Sequence, residues 1–249
     1  MNRSKFKILD NTALTADVFR MRLEGDTSAI TMPGQFVEIE LPGRFLRRPI
    51  SVCDVAPGVL TLVYKTVGVG TAEMAAMDKG TELDLLCGLG HGFSVDPARK
   101  RPVLIGGGVG VPPLFNLAKC WIEAGVKPLV ALGFNKSSEI MLASDFLRLG
   151  LDVAIATVDG SEGTKGFVTD AVATFEEAPD FFQACGPLPM LKAISSSFPE
   201  MEGEFSLEER MGCGFGACMG CTIHTTEGPA RVCTEGPVFS NTLIDWNRI

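Results

Sequence analysis

Through residues 1–98 apolar and polar positions alternate in short runs, at 6–9, 18–23, 35–41, 59–67 and 83–87. A period of two is the mark of a half-buried strand. The runs are separated by Pro33-Gly34, Pro42-Gly43 and Pro57-Gly58, dipeptides that turn the chain sharply. Short strands divided by such turns predict a small antiparallel β-barrel.

The pattern changes at Arg99-Lys100-Arg101-Pro102. A short apolar strand at 102–105 runs into Gly106-Gly107-Gly108-Val109-Gly110-Val111-Pro112-Pro113 and then into a helix. There Leu114, Leu117, Ala118, Trp121 and Ile122 recur at helical spacing, proline suits the first turn and Gly125 the stop. Strands at 129–133, 151–158 and 181–185 then alternate with helices at 138–147, 169–175 and 188–198. This alternation predicts a parallel sheet with helices on both faces. The last fifty residues break it, carry four of the eight cysteines, and are too few to build a core unaided. The expected class is therefore α+β multidomain: a barrel at 1–98, an α/β domain at 99–200, and a small segment at 201–249 held together by a bound species.

Charge and composition narrow the function. The 249 residues include 22 Lys+Arg and 30 Asp+Glu, a net charge of −8, and no basic run that could displace the counterions of a nucleic acid. Two histidines, His91 and His224, are too few for a multi-histidine zinc hydrolase. The N-terminus has no apolar signal region, and no stretch reaches the roughly 18 apolar residues of a spanning helix, so a cytoplasmic protein without a membrane partner is expected. In the reducing cytosol eight cysteines do not read as a disulfide framework.

Their spacing is informative. Cys213, Cys218 and Cys221 follow C-x4-C-x2-C, with Cys233 further on. That spacing is used by plant-type [2Fe-2S] ferredoxins, in which four thiolates hold two irons. Gly212, Gly214, Gly216 and Gly220 let a loop wrap a compact anionic group with its N–H groups aimed at sulfur. A four-cysteine zinc site is the competing reading, but zinc sites usually gather separated cysteine pairs. His224 reads as a surface residue or as one that supports the ligands from behind.

Two further segments point to nucleotide ligands. Gly107, Gly108 and Gly110, between strand and helix, let a diphosphate approach the backbone, although the run departs from G-x-G-x-x-G at Val111-Pro112 and could equally be a tight turn without a ligand. Cys185-Gly186-Pro187 falls on the same carboxyl edge of the predicted sheet, where open α/β sheets bind ligands. Asp159, closing the third strand, could accept a ribose hydroxyl and repel a 2′-phosphate, favouring NAD over NADP; it could equally be a turn residue. In the barrel, Arg48-Pro49-Ile50-Ser51, Val63-Tyr64-Lys65 and Gly70-Thr71 offer a guanidinium and backbone N–H groups to phosphate oxygens.

Together these residues, with Leu104 to Gly110 and Ser206-Leu207-Glu208-Glu209-Arg210-Met211 leading into the cysteine loop, resemble the ferredoxin reductase-like flavoproteins. Within them the chain is most similar to the electron-transfer subunits of type B dihydroorotate dehydrogenase, over essentially its whole length. The resemblance implies a barrel binding FAD through Arg48, Pro49, Ile50, Ser51, Val63, Tyr64, Lys65, Gly70 and Thr71. It implies an α/β domain binding NAD, with Cys185 lining the nicotinamide site, and a tail holding a [2Fe-2S] cluster on Cys213, Cys218, Cys221 and Cys233. It further implies a separate FMN-containing catalytic subunit that oxidises dihydroorotate in pyrimidine biosynthesis, two of each subunit forming a heterotetramer. Ile50 stands where the wider superfamily has an aromatic residue. A flavin subunit of an NAD(P)H-linked hydrogenase, sulfite reductase or ferredoxin reductase is the alternative enzyme, and a zinc-stabilised interaction module the alternative of another class.

Overall fold

The computed structural model describes all residues, 1–249. Strands β1 (Asn2–Ala13), β2 (Val18–Gly25), β3 (Phe36–Glu40), β4 (Arg48–Ala56), β5 (Val59–Lys65) and β6 (Glu82–Leu89) close an antiparallel barrel in the order β1-β2-β5-β4-β3-β6, with helix α1 (Val69–Ala75) between β5 and β6. Inward alternate residues such as Phe6, Ile8, Met21, Leu23, Leu60, Leu62, Leu83 and Leu85 fill its core. Closure leaves no unpaired edge. The alternation did not reveal β4, because Pro49 interrupts it and a proline inside a run argues against a strand. Here Pro49 opposes Glu38 of β3 near the start of the strand.

Strands β7 (Pro102–Gly107), β8 (Leu129–Phe134), β9 (Val153–Thr157), β10 (Thr164–Lys165) and β11 (Phe181–Cys185) form a parallel sheet with helices α2 (Pro113–Glu123), α3 (Ala143–Arg148), α4 (Val168–Val172) and α5 (Leu188–Ser197). Leu104 packs into one core with Leu114, Leu117, Trp121 and Phe146, while Val103 and Ile105 pack into another with Ala171, Val172, Leu191 and Ile194. Helices therefore cover both faces, as the continuous apolar strands require. The helix expected at 138–147 starts only at Ala143, because Leu142 takes a left-handed backbone (φ 61°) that interrupts it. Gly125 (φ 85°) ends α2 as expected.

The cysteine-bearing tail builds its core against the α/β domain. Its strands β12 (Gly203–Ser206) and β15 (Val238–Ser240) extend the main sheet beyond β11, and β13 (Thr222–Thr225) pairs with β14 (Gly228–Arg231) as a hairpin. Phe205, Val232, Phe239 and Ile244 join the second core. No helix is long and apolar enough to cross a membrane.

Candidate functional site

A cleft of about 360 Å³ lies where barrel, sheet and tail meet. The barrel contributes Arg48, Pro49, Ile50 and Ser51 from β4, Val63, Tyr64 and Lys65 from β5, and Thr71 from α1; the glycine turn contributes Val109, and the tail Ser206 to Glu209, Met211 and Pro237. All the barrel residues expected from the sequence, Gly70 excepted, line this one space. Gly70 supports it from behind, since a Cβ there would lie 2.4 Å from Arg48 Nε. Arg48 Nη1 donates to the Leu46 carbonyl at 2.6 Å, which fixes the guanidinium across the helix start. The Thr71 hydroxyl accepts from the Val67 and Gly68 N–H groups at 2.9 and 3.2 Å, pinning that turn. Tyr64 is committed to the barrel: its hydroxyl donates to Asn11 at 3.0 Å, and burial pushes its pKa up to about 12. It serves as wall rather than as acid.

A second cleft, about 510 Å³, follows the carboxyl ends of β7, β8 and β9, where Gly107, Gly108, Gly133, Glu139, Phe167, Thr169, Pro187 and Met190 face one another. Gly107, Gly108 and Pro187 are there as expected. Gly110 is not: it is buried, and a Cβ on it would meet the Cys185 carbonyl oxygen at 2.3 Å, so its role is to let the turn pack on β11. Cys185 is buried beside Ser206, with burial raising its thiol to about 12, and Gly186 lies in a smaller adjoining space with Leu207, Glu208 and Glu209. Asp159 lies outside the lining, exposed, its carboxylate accepting from the N–H and hydroxyl of Ser161 at 2.9 and 2.6 Å. Its carboxylate is engaged within its own turn. The carboxylate that does line the cleft is Glu139, held by Asn135 Nδ2 at 2.9 Å. No lysine or arginine lines the cleft.

The cysteine loop begins just after Met211, which lines the first cleft, and its thiols with Cys233 pair two by two rather than gathering around one point. Cys213 Sγ accepts from the Cys218 N–H at 3.4 Å, and the Cys221 and Cys233 thiols are buried against each other. Partial burial raises the Cys213 thiol, but hydrogen bonds from the N–H groups of Cys218, Phe215 and Ala217 outweigh it and bring it down to about 7. Burial and the neighbouring Cys221 push Cys233 up to about 12. An all-sulfur set of four donors fits a [2Fe-2S] cluster, which four Cys thiolates hold. His224 is exposed on β13.

Two residues escaped the sequence reading. Arg231 spans the loop, donating to the Gly216 carbonyl at 3.0 Å and to Glu235 at 2.5 Å. Glu38 is fully buried on β3 against Gly214. A lone acidic residue inside the apolar run Phe36-Val37-Glu38-Ile39 was the available signal.

Comparisons with known proteins agree with this geometry. The family profile described as the iron-sulfur cluster binding domain of dihydroorotate dehydrogenase B matches residues 208–245. The electron transfer subunit of dihydroorotate dehydrogenase B (NAD(+)) from Listeria monocytogenes is 41% identical, covering 96% of this chain and 97% of its own length; that of Shouchella clausii is 39% identical over 95% and 96%. Among solved structures, an NADH-dependent reduced ferredoxin-NADP oxidoreductase superposes with a TM-score of 0.89 at 29% identity, covering 97% of this chain and 90% of that one. An Amycolatopsis cytochrome P450 reductase, at 23% identity and TM-score 0.69 over 80% of this chain and 66% of its own, shares the fold. Since relatives about 40% identical match it over nearly their whole length and its own, the chain belongs to the family of electron transfer subunits of dihydroorotate dehydrogenase B.

Proposed function

We propose that this chain is the electron-transfer subunit of a dihydroorotate dehydrogenase, conducting electrons from a separate FMN-containing catalytic subunit to NAD+ through a [2Fe-2S] cluster and FAD, in a cytoplasmic heterotetramer of two subunits of each kind. A flavin exchanges electrons singly or in pairs, which is the chemistry needed between a one-electron cluster and a two-electron nicotinamide. One observation carries the reading: the cleft of the barrel is lined at once by Arg48 to Ser51, by Val109 of the glycine turn and by Ser206 to Met211, the segment that runs directly into the cysteine loop.

In this reading Cys213, Cys218, Cys221 and Cys233 would hold the cluster, which supplies one-electron transfer. Arg48 and the N–H groups around Thr71 bind the FAD phosphates, since a fixed guanidinium beside a helix start is a ready anion site. Ile50, Val63 and Val109 are apolar lining of the same cleft and would exclude water from a bound flavin. Gly107 and Gly108 admit the NAD diphosphate, and Glu139 takes the role first given to Asp159, accepting a ribose hydroxyl. Phe215 and Met219, about half exposed on the cysteine loop, are docking contacts for the catalytic subunit.

The test is purification with the catalytic subunit and assay of flavin, iron and sulfide, followed by addition of dihydroorotate and NAD+. Two irons per flavin, bleaching by dihydroorotate and formation of NADH are expected. A colourless, zinc-containing chain would refute the proposal.

A further inference from the structure

Glu38 has no use in the scheme above and is costly to the fold. Its side chain is fully buried, and neither carboxylate oxygen has a hydrogen-bond partner. An unpaired buried carboxylate is among the more destabilising features a core can contain. The nearest cation, Arg47, is engaged elsewhere: its Nη1 donates to the main-chain carbonyls of Glu38 and Asp84 at 3.2 and 3.0 Å, and its Nη2 to the Asp84 carboxylate at 2.6 Å and to Glu40. Arg47 thus faces Glu38 without bonding its carboxylate.

What the carboxylate faces instead is the cysteine loop. Gly214, next to Cys213 and with φ of 75°, leaves no room for a Cβ, which would stand 2.7 Å from both Glu38 Cγ and Oε1. The barrel and the loop therefore touch through this glycine and this glutamate. An apolar side chain, such as those of Val37 and Ile39 beside it, would fill the position without the cost of desolvating a charge.

Resting on the reading that the four thiols hold a [2Fe-2S] cluster, we propose that Glu38 is a tuning residue: it places a negative charge, shielded from water, against the cluster loop and so lowers the reduction potential of the cluster without ligating it. Burial pushes the carboxyl up to about 7 against the pull of Arg47, so it carries its charge in full only above neutral pH; in that form, a charge in a medium of low dielectric disfavours adding an electron nearby far more than an exposed one does. The charge of the surroundings is a recognised determinant of cluster potential.

The experiment is an EPR-monitored redox titration of the intact heterotetramer with wild-type chain and with Glu38→Gln, which keeps the shape, at pH 8.5. The expected result is that at one ambient potential the reduced fraction of the Glu38→Gln cluster rises about tenfold relative to oxidised, a shift of 59 mV for a one-electron couple. Glu38→Met should shift it in the same direction and Glu38→Asp should restore much of the wild-type value, an order that a purely structural role would not produce. Clusters of unchanged potential in both uncharged variants would overturn the inference. Absence of iron from the wild-type protein would instead refute the cluster reading beneath it.

Discussion

Gly110 offers a sharp test of how the three parts of the chain are joined. Replacing it with alanine adds one methyl group whose carbon would lie 2.3 Å from the Cys185 carbonyl oxygen, 2.4 Å from its carbon and 2.5 Å from the Gly186 nitrogen, whereas ordinary contact begins at 3.4 Å. The obstacle is main chain at the end of a central strand, which no rotamer change relieves, so the turn must retreat by about 1 Å from β11. Overpacking of this kind costs about 1–3 kcal/mol. For a chain of this size a 2 kcal/mol loss lowers Tm by roughly 4–8 °C. The displaced turn carries Val109 of the first cleft and Gly108 of the second. NAD+ affinity, read by quenching of flavin fluorescence, should therefore fall about tenfold or more, because binding depends on the placement of the backbone N–H groups. Gly43→Ala is the control: it lines neither cleft, nothing lies within 4 Å of its Cβ, and only its φ of 71° opposes the change, at about 1–2 kcal/mol, so Tm should fall with NAD+ affinity unchanged. A Gly110→Ala protein with wild-type Tm and NAD+ affinity would refute the reasoning.

Three other perturbations have definite outcomes. Glu139→Lys should reverse dinucleotide preference, raising affinity for NADP+ and lowering it for NAD+ at least tenfold each, as measured by the ratio of Kd values; an unchanged ratio would return the ribose contact to another residue. Met219→Asp, at a position whose φ of 60° suits aspartate better than methionine, should weaken co-purification of the catalytic subunit at least tenfold in Kd while leaving iron content and visible spectrum unchanged. Asp84 should give the barrel an acid limit: burial raises its carboxyl, but hydrogen bonds from Arg3 and Arg47 outweigh this and hold it below the ordinary value. A depressed folded value contributes in full above the unfolded pKa of about 3.9 and is lost as pH falls through the folded one. The urea midpoint should accordingly drop between pH 5 and pH 2, and less so in Asp84→Asn.

Much of this was legible in the residues because it rests on local rules. Period-two runs marked five barrel strands, prolines and glycines punctuated the α/β alternation, and four cysteines at a diagnostic spacing marked the loop that lies beside the first cleft. What stayed hidden depends on long-range contact. β4 was obscured by Pro49, tolerated near a strand's start, and β12 and β15 by their shortness, although each pairs in a sheet whose order is set by partners far along the chain. Asp159 follows β9 and Glu139 ends a short helical turn after β8, and only three-dimensional placement shows that the first carboxylate is turned into its own loop while the second lines the cleft. Gly110 looked like a phosphate contact because spacing cannot distinguish a glycine that admits a ligand from one that admits a neighbouring strand.

A wall built from three distant stretches of one polypeptide makes its two inorganic and organic guests thermodynamically interdependent. Whatever holds Met211 and the residues before it in place raises the affinity of the barrel for its coenzyme, and by linkage the coenzyme steadies the thiol loop in return. Chelation of iron should therefore release flavin as well, and riboflavin starvation should leave the metal more exposed to oxidants.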